Sequence, residues 1–202
     1  MFMNTFVIAI FTCIISTIFV LSVAYSMSRM RFKMRKPFMN IAMIIGLFPS
    51  FMSMIAVYYI LRALNLADGA MIRVALIIVF SAGSGAGFYV AKGFFDTISK
   101  SLDEAAIIDG ATRWNVFTKI TVPLSKPIIV YTILTSFMGP WVDFIFGKVI
   151  CRADAQYYTV SIGLWKMLEK EYIDSWYTCF AAGAVVVSIP VSYTHLTLPT
   201  IC

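Results

Sequence analysis

The sequence predicts an all-α fold: a polytopic bundle of membrane-spanning helices with one long polar connection between two of them. Of its 202 residues 60% are hydrophobic and only 13% are charged, and mean hydropathy is +0.87. The apolar residues are also grouped, which is the stronger signal. No charged residue occurs from Met1 to Ser28, Pro37 to Leu61, Val74 to Ala91, Pro127 to Val142, or Ser175 to Cys202. A helix needs roughly 20 mainly apolar residues to cross a hydrocarbon core of about 30 Å. About five spans are therefore placed, near 5–27, 38–61, 72–91, 128–149 and 176–192. They must be helical, because an isolated segment in lipid can satisfy its backbone groups only within itself. A soluble protein with buried helices is the competing class, but its helices would carry a polar face.

The net charge of +6 raises nucleic-acid binding as a class, and its distribution removes it. Arg29, Arg31, Lys33, Arg35 and Lys36 fill the loop after the first span. Lys92, Lys100, Arg113, Lys119 and Lys126 lie in segment 92–127 after the third. Placed on one side, these loops hold ten cations against four carboxylates, and the other side holds six against six. Lys and Arg bias sets orientation, so both basic loops are expected in the cytoplasm. The N-terminus is then expected outside, with a preceding helix missing. No signal peptide is expected, since the positive flank follows the first apolar stretch. Cys13, Cys151, Cys179 and Cys202 show neither metal-ligand spacing nor a disulfide framework.

Breakers sit in mid-span: Pro49 in the second, Gly139–Pro140 in the fourth. In the third, Gly83 and Gly87 form a GxxxG pair within Ser81–Gly87. Such residues let helix backbones approach closely, which favours a helix contact over a pore lining. Asp143 is an acid near the interior of a span. It faces a cavity or partner, or else lies shallow enough to be hydrated beside Lys148. Residues 192–202, with the single histidine His195, fit the pattern poorly and are expected to be foreign sequence. The domain expected is 1–191.

Segment 92–127 carries the functional reading. Ser101–Glu104 matches a capping box, opening a helix that ends at Gly110, a residue suited to the left-handed C-terminal position. A second helix is predicted from about Thr112, with Trp114, Phe117 and Ile120 on one stripe, and Pro123 ends it. A helix–turn–helix with an apolar stripe suits docking into a partner's groove. A helix pair lying on the headgroups is the alternative.

The stretch EAAIIDGATRWNVFTKITVP resembles the EAA loop of ABC-importer permeases: Glu104, Ala105, Ala106, Gly110, Ile120 and Pro123 stand at the family spacing. Val122 replaces the usual leucine. Trp141-x-Asp143-Phe144, Tyr158-Thr159-Val160 and Phe180-Ala181-Ala182-Gly183 extend the resemblance to carbohydrate permeases of the maltose and oligosaccharide type, over about residues 4–191. That family has six spans. The resemblance implies a multi-pass subunit of the bacterial inner (plasma) membrane, with 92–127 as a cytoplasmic coupling loop. Its partners would be two ATPase subunits, a second permease, an extracellular sugar-binding protein and the lipid bilayer, with no nucleic acid. The implied ATPase-docking set is Glu104, Ala105, Ala106, Asp109, Gly110, Trp114, Phe117, Ile120 and Pro123. Trp141 and Asp143 are candidates for the translocation path. No catalytic, metal or cofactor site is expected, and ATP would be bound by the partner. The chain has no G-x-x-x-x-G-K-[ST] loop, since Gly147–Lys148 is followed by Val149. An importer for a peptide, amino acid or anion is the second reading. An intramembrane enzyme would need a nucleophile–base pair or metal cluster that the spans lack, and a passive channel has no use for a docking loop.

Overall fold

The computed structural model describes residues 1–47, 50–83, 87–152, 154–169 and 173–201, and every regular element among them is helical. The first helix, α1 (Phe2–Arg29), has 28 residues and is about 42 Å long at 1.5 Å per residue. Its buried positions recur every fourth residue: Asn4, Ile8, Thr12, Ser16, Val20, Ala24 and Ser28. The opposite face exposes Phe11, Ile14, Ile18 and Phe19 at 52–64%. This arrangement inverts a soluble helix. The small and hydroxyl-bearing side chains face protein, and the large apolar ones face outward, as lipid requires.

A four-residue repeat on a 3.6-residue helix advances about 40° per step, so the buried stripe winds around α1 and serves several neighbours. They are α4 (Met71–Gly83), α5 (Gly87–Thr97) and α9 (Lys126–Val142). Ile8 joins Ile72 and Leu76 of α4, while Ala24 and Met27 join Phe88, Ala91 and Phe95 of α5. Ala9 packs with Met138 and Trp141 of α9. At the N-terminal end, the Asn4 amide donates to the Gln156 carbonyl at 2.7 Å. The Thr5 hydroxyl accepts the Val160 N–H at 2.8 Å, capping α11 (Val160–Met167). The last helix, α12 (Ile173–Ile201), packs on α11 through Gly183. A Cβ there would come within 2.7 Å of the Leu164 side chain.

The described residues of the expected spans are largely helical, but most do not form single rods. Among the described residues, α1 alone is long and apolar enough to cross unaided, and up to three spans arise if each bent helix pair is counted as one. The second expected span comprises α2 (Arg35–Gly46) and α3 (Ser50–Ala63), and Pro49 lies outside the described residues. The third is α4 and α5, inclined by 43°, with Ser84–Ala86 outside the described residues. Helix α5 also runs past Ala91, because Lys92 and Asp96 pair at i,i+4. The connecting segment therefore begins after Thr97.

The fourth span passes through Pro140 unbroken and stops three residues later. Asp143 separates α9 from α10 (Ile145–Cys151), and its carboxylate accepts the Gly147 N–H at 3.0 Å. A proline costs one backbone hydrogen bond, whereas an aspartate that satisfies the free amides of a new helix gives the chain a place to restart. The backbone of α12 continues through the segment expected to be foreign.

The seam on α1 gives a stability test. Ala24 is fully buried against α5 and Ile18 is 64% exposed. Ala24→Leu should destabilise the protein by about 1–3 kcal/mol through overpacking, read as a lower melting temperature in detergent. Ile18→Leu should leave it unchanged.

Candidate functional site

The connecting segment folds as two helical pieces on a left-handed turn. Its first helix, α6 (Lys100–Ile108), is capped by Ser99, whose hydroxyl accepts the Ser101 N–H at 3.3 Å. Ser101 is thus inside the helix, and the cap lies two residues before the expected one. Ser99 wins because its extended backbone, φ −60 and ψ 130, is what an N-cap needs. At the other end Gly110 has φ +85. The Ala111 N–H reaches the Ala106 carbonyl at 2.9 Å and the Gly110 N–H reaches that of Ile107 at 3.0 Å. This pair of bonds is a Schellman motif, so glycine stands where the sequence required it.

Thr112 caps α7 (Arg113–Val116), accepting the Asn115 N–H at 3.3 Å. The chain continues as a π-turn, Phe117–Thr121, into the short α8 (Val122–Leu124). Contrary to expectation, Pro123 does not end this helix; it lies at the start of α8, where its missing N–H costs least. The chain turns by 80° at Ser125 instead.

One face of the segment is fixed to the foot of α1. The Arg29 guanidinium pairs with Asp103 at 3.2 Å, with side-chain exposures of 6% and 13%. It also donates to the Ile98 carbonyl at 2.9 Å. Ser28 donates to Asp96 at 2.6 Å, and the Phe117 ring packs 4.6 Å from Tyr25. Phe117 and Ile120 are therefore half-buried, and the predicted stripe divides between two duties. Phe117 holds the segment to α1, while Trp114 stands out at 70% exposure.

The outward face carries Glu104, Ala105, Asp109 and Gly110, all exposed, with Ala106 half-buried and Pro123 exposed. Ile107 and Ile108 join them at 52% and 84% exposure. Sequence reading passed over these two isoleucines, and the signal was present: adjacent apolar residues next to a helix-ending glycine cannot both face inward. Arg29 and Asp103 counted only as charges, because their meeting depends on tertiary packing.

The two candidates for the path part company. Trp141 is 3% exposed, with its ring edge-on to Phe2 at 5.2 Å and its carbonyl accepting the Ser161 hydroxyl at 2.9 Å. Asp143 borders a cavity of about 880 Å³ together with Gly83, Gly87, Tyr131, Thr132 and Thr135. Gly87 also faces α1, where a Cβ would meet Val20 at 3.9 Å. The small residues of the third span thus both abut a helix and border open space.

The sequence matches the family described as "Binding-protein-dependent transport system inner membrane component" over residues 18–196. It is 33% identical over 198 residues to a galactooligosaccharides transport system permease protein of Bacillus subtilis, covering 98% of this chain and 68% of that protein. A maltodextrin transport system permease protein of Streptococcus pneumoniae is 30% identical, with 94% and 66% covered. The chain thus spans about two thirds of the length of these relatives. Among solved structures, a chain of a bacterial ABC transporter involved in the import of the acidic polysaccharide alginate superposes with a TM-score of 0.79. It is 25% identical, and the match covers 98% of this chain and 73% of the other.

The buried pair predicts strong coupling. Arg29→Met or Asp103→Leu alone should cost about 3–5 kcal/mol by stranding the other charge, and the double variant should cost less than the two singles together. Melting temperatures of the four proteins in detergent give the cycle.

Proposed function

The chain belongs to the family of binding-protein-dependent transport system inner membrane components, and from that premise we propose that it is the permease subunit of an ATP-driven oligosaccharide importer. The observation that carries the proposal is the two-faced segment 98–125. Its back is clamped to α1 through Arg29, Asp103 and Phe117. Its front presents Glu104, Ile107, Ile108 and Trp114 around a left-handed glycine. Apolar side chains so exposed on an ordered turn suit a partner's groove.

In this reading a separate ATPase subunit receives the front of the segment, one for each of two permease subunits. The Lys and Arg bias of the loops after α1 and α5 supports a cytoplasmic position for that face. Closure of the ATPase pair on ATP moves the segment, and α1 moves with it. An extracellular binding protein loaded with sugar favours the same outward-open state, so the two ligands shift one equilibrium together. The relatives' cargo of galactooligosaccharides and maltodextrin supports a neutral oligosaccharide. So does the lining of the cavity beside Asp143, where Tyr131, Thr132 and Thr135 carry hydroxyls and Phe80 and Phe144 carry apolar faces.

The test is to purify the assembled importer with Glu104→Lys and, separately, Gly110→Val. Beyond its chain neighbours nothing in this chain lies within 4 Å of a Cβ at Gly110, so within the subunit valine there acts through the backbone, at about 1–3 kcal/mol for a forced left-handed residue. Both variants should insert in the membrane normally. Sugar uptake and binding-protein-stimulated ATP hydrolysis should fall at least tenfold, roughly the effect of losing one well-placed contact of 1.4 kcal/mol. Uptake and stimulated hydrolysis at parental levels in both variants would remove the segment from the coupling mechanism.

A further inference from the structure

Beside the docking face, and sharing Glu104 and Ile107 with it, lies a cleft of about 780 Å³ between the foot of α1 and the connecting segment. Four cations line it from separate stretches of chain: Arg31 after α1, Arg35 at the start of α2, Lys100 at the start of α6, and Arg113 at the start of α7. Arg29 lines it too. Of the two carboxylates in the lining, Asp103 is already paired with Arg29, leaving Glu104 against four cations. The Arg29 guanidinium is almost fully buried, and its Nη1 has no hydrogen-bond partner among the described residues. The cleft thus has excess positive charge and an unused buried donor, and the volume falls in the range of ligand sites.

We propose that this cleft binds the phosphate headgroup of an anionic phospholipid. Position argues for a lipid over a soluble anion. The uncharged run of α1 ends at Ser28, so the cleft opens where the helix leaves the hydrocarbon and headgroups begin. Met30 and Phe32, which also line it, are 36% and 42% exposed. Apolar side chains set among arginines match a molecule with a charged head and an acyl tail. Basic pockets beside spans recognise anionic headgroups in this way. A bound headgroup would bridge α1, α2 and the connecting segment, so membrane composition would affect how firmly the segment is held. The proposal rests on membrane insertion and not on the identity of the cargo.

The test uses the full chain, alone and in its assembled importer, with phosphatidylglycerol and phosphatidylcholine as probes and retained lipid counted by native mass spectrometry. Phosphatidylglycerol should be retained in preference in both preparations. Arg35→Gln with Arg113→Gln should weaken it about thirtyfold, at roughly one cation's worth of surface attraction each. Arg62→Gln, exposed at the far end of α3, should leave retention unchanged. Millimolar inorganic phosphate should fail to displace the lipid. Equal retention of both lipids, or preference that survives the double variant, would overturn the proposal. Full displacement by phosphate would assign the site to a free anion, and loss of lipid on assembly would assign the cleft to a partner subunit. Uptake is measured separately, so failure here leaves the transport reading standing.

Discussion

A helix in hydrocarbon has no water to satisfy its polar side chains, so those side chains must meet protein. On α1 that constraint places Asn4, Thr5, Thr12, Ser16 and Ser28 on the buried face, among the apolar Ile8, Ala9, Val20 and Ala24. Because the buried residues repeat every four, their stripe winds, and α9, α4 and α5 are gathered on successive sides of one post. The large apolar residues are left to the outside, where they match lipid. Small side chains and close backbone approach, more than bulk hydrophobicity, hold these helices together.

The same stripe ends in charge. Ser28 and Arg29 continue the buried face of α1 into polar surroundings, where they find Asp96, Asp103 and the Ile98 carbonyl. A buried ion pair is weak as a source of net stability, but breaking one partner is costly. Here it fixes the register between α1 and the connecting segment. Phe117 against Tyr25 adds an apolar contact on the same side. The segment is therefore an extension of α1 with an exposed front, and a push on the front is delivered to the helix that organises the bundle.

Much of this was legible in the sequence, for identifiable reasons. Uncharged runs marked the helices because no soluble fold needs five of them. Gly110 announced its turn because its backbone requirement is local, and the EAA pattern marked the segment itself. What could not be read depends on contacts between distant residues. Phe117 fits an outward stripe by spacing, yet it turns inward because Tyr25 stands 92 positions earlier with a ring to pack on. Pro140 looked like the breaker of its span, but the break falls at Asp143, whose carboxylate can cap the next helix. Ser99 displaced Ser101 as cap, a two-residue shift within the ordinary uncertainty of helix ends. The packing of the Trp141 ring against Phe2 could likewise not be read from its neighbours in sequence.

The central claim is that α1 and the connecting segment move as one rigid body. The direct measurement is a pulsed electron–electron distance between spin labels at Phe19 and Lys119, both exposed, in the assembled importer at rest and trapped with ATP. The account predicts the same distance peak in both states, with the label pair moving together relative to the rest of the assembly. A peak that shifts between the two states while the complex turns over ATP would show the segment sliding on α1, and would contradict the account.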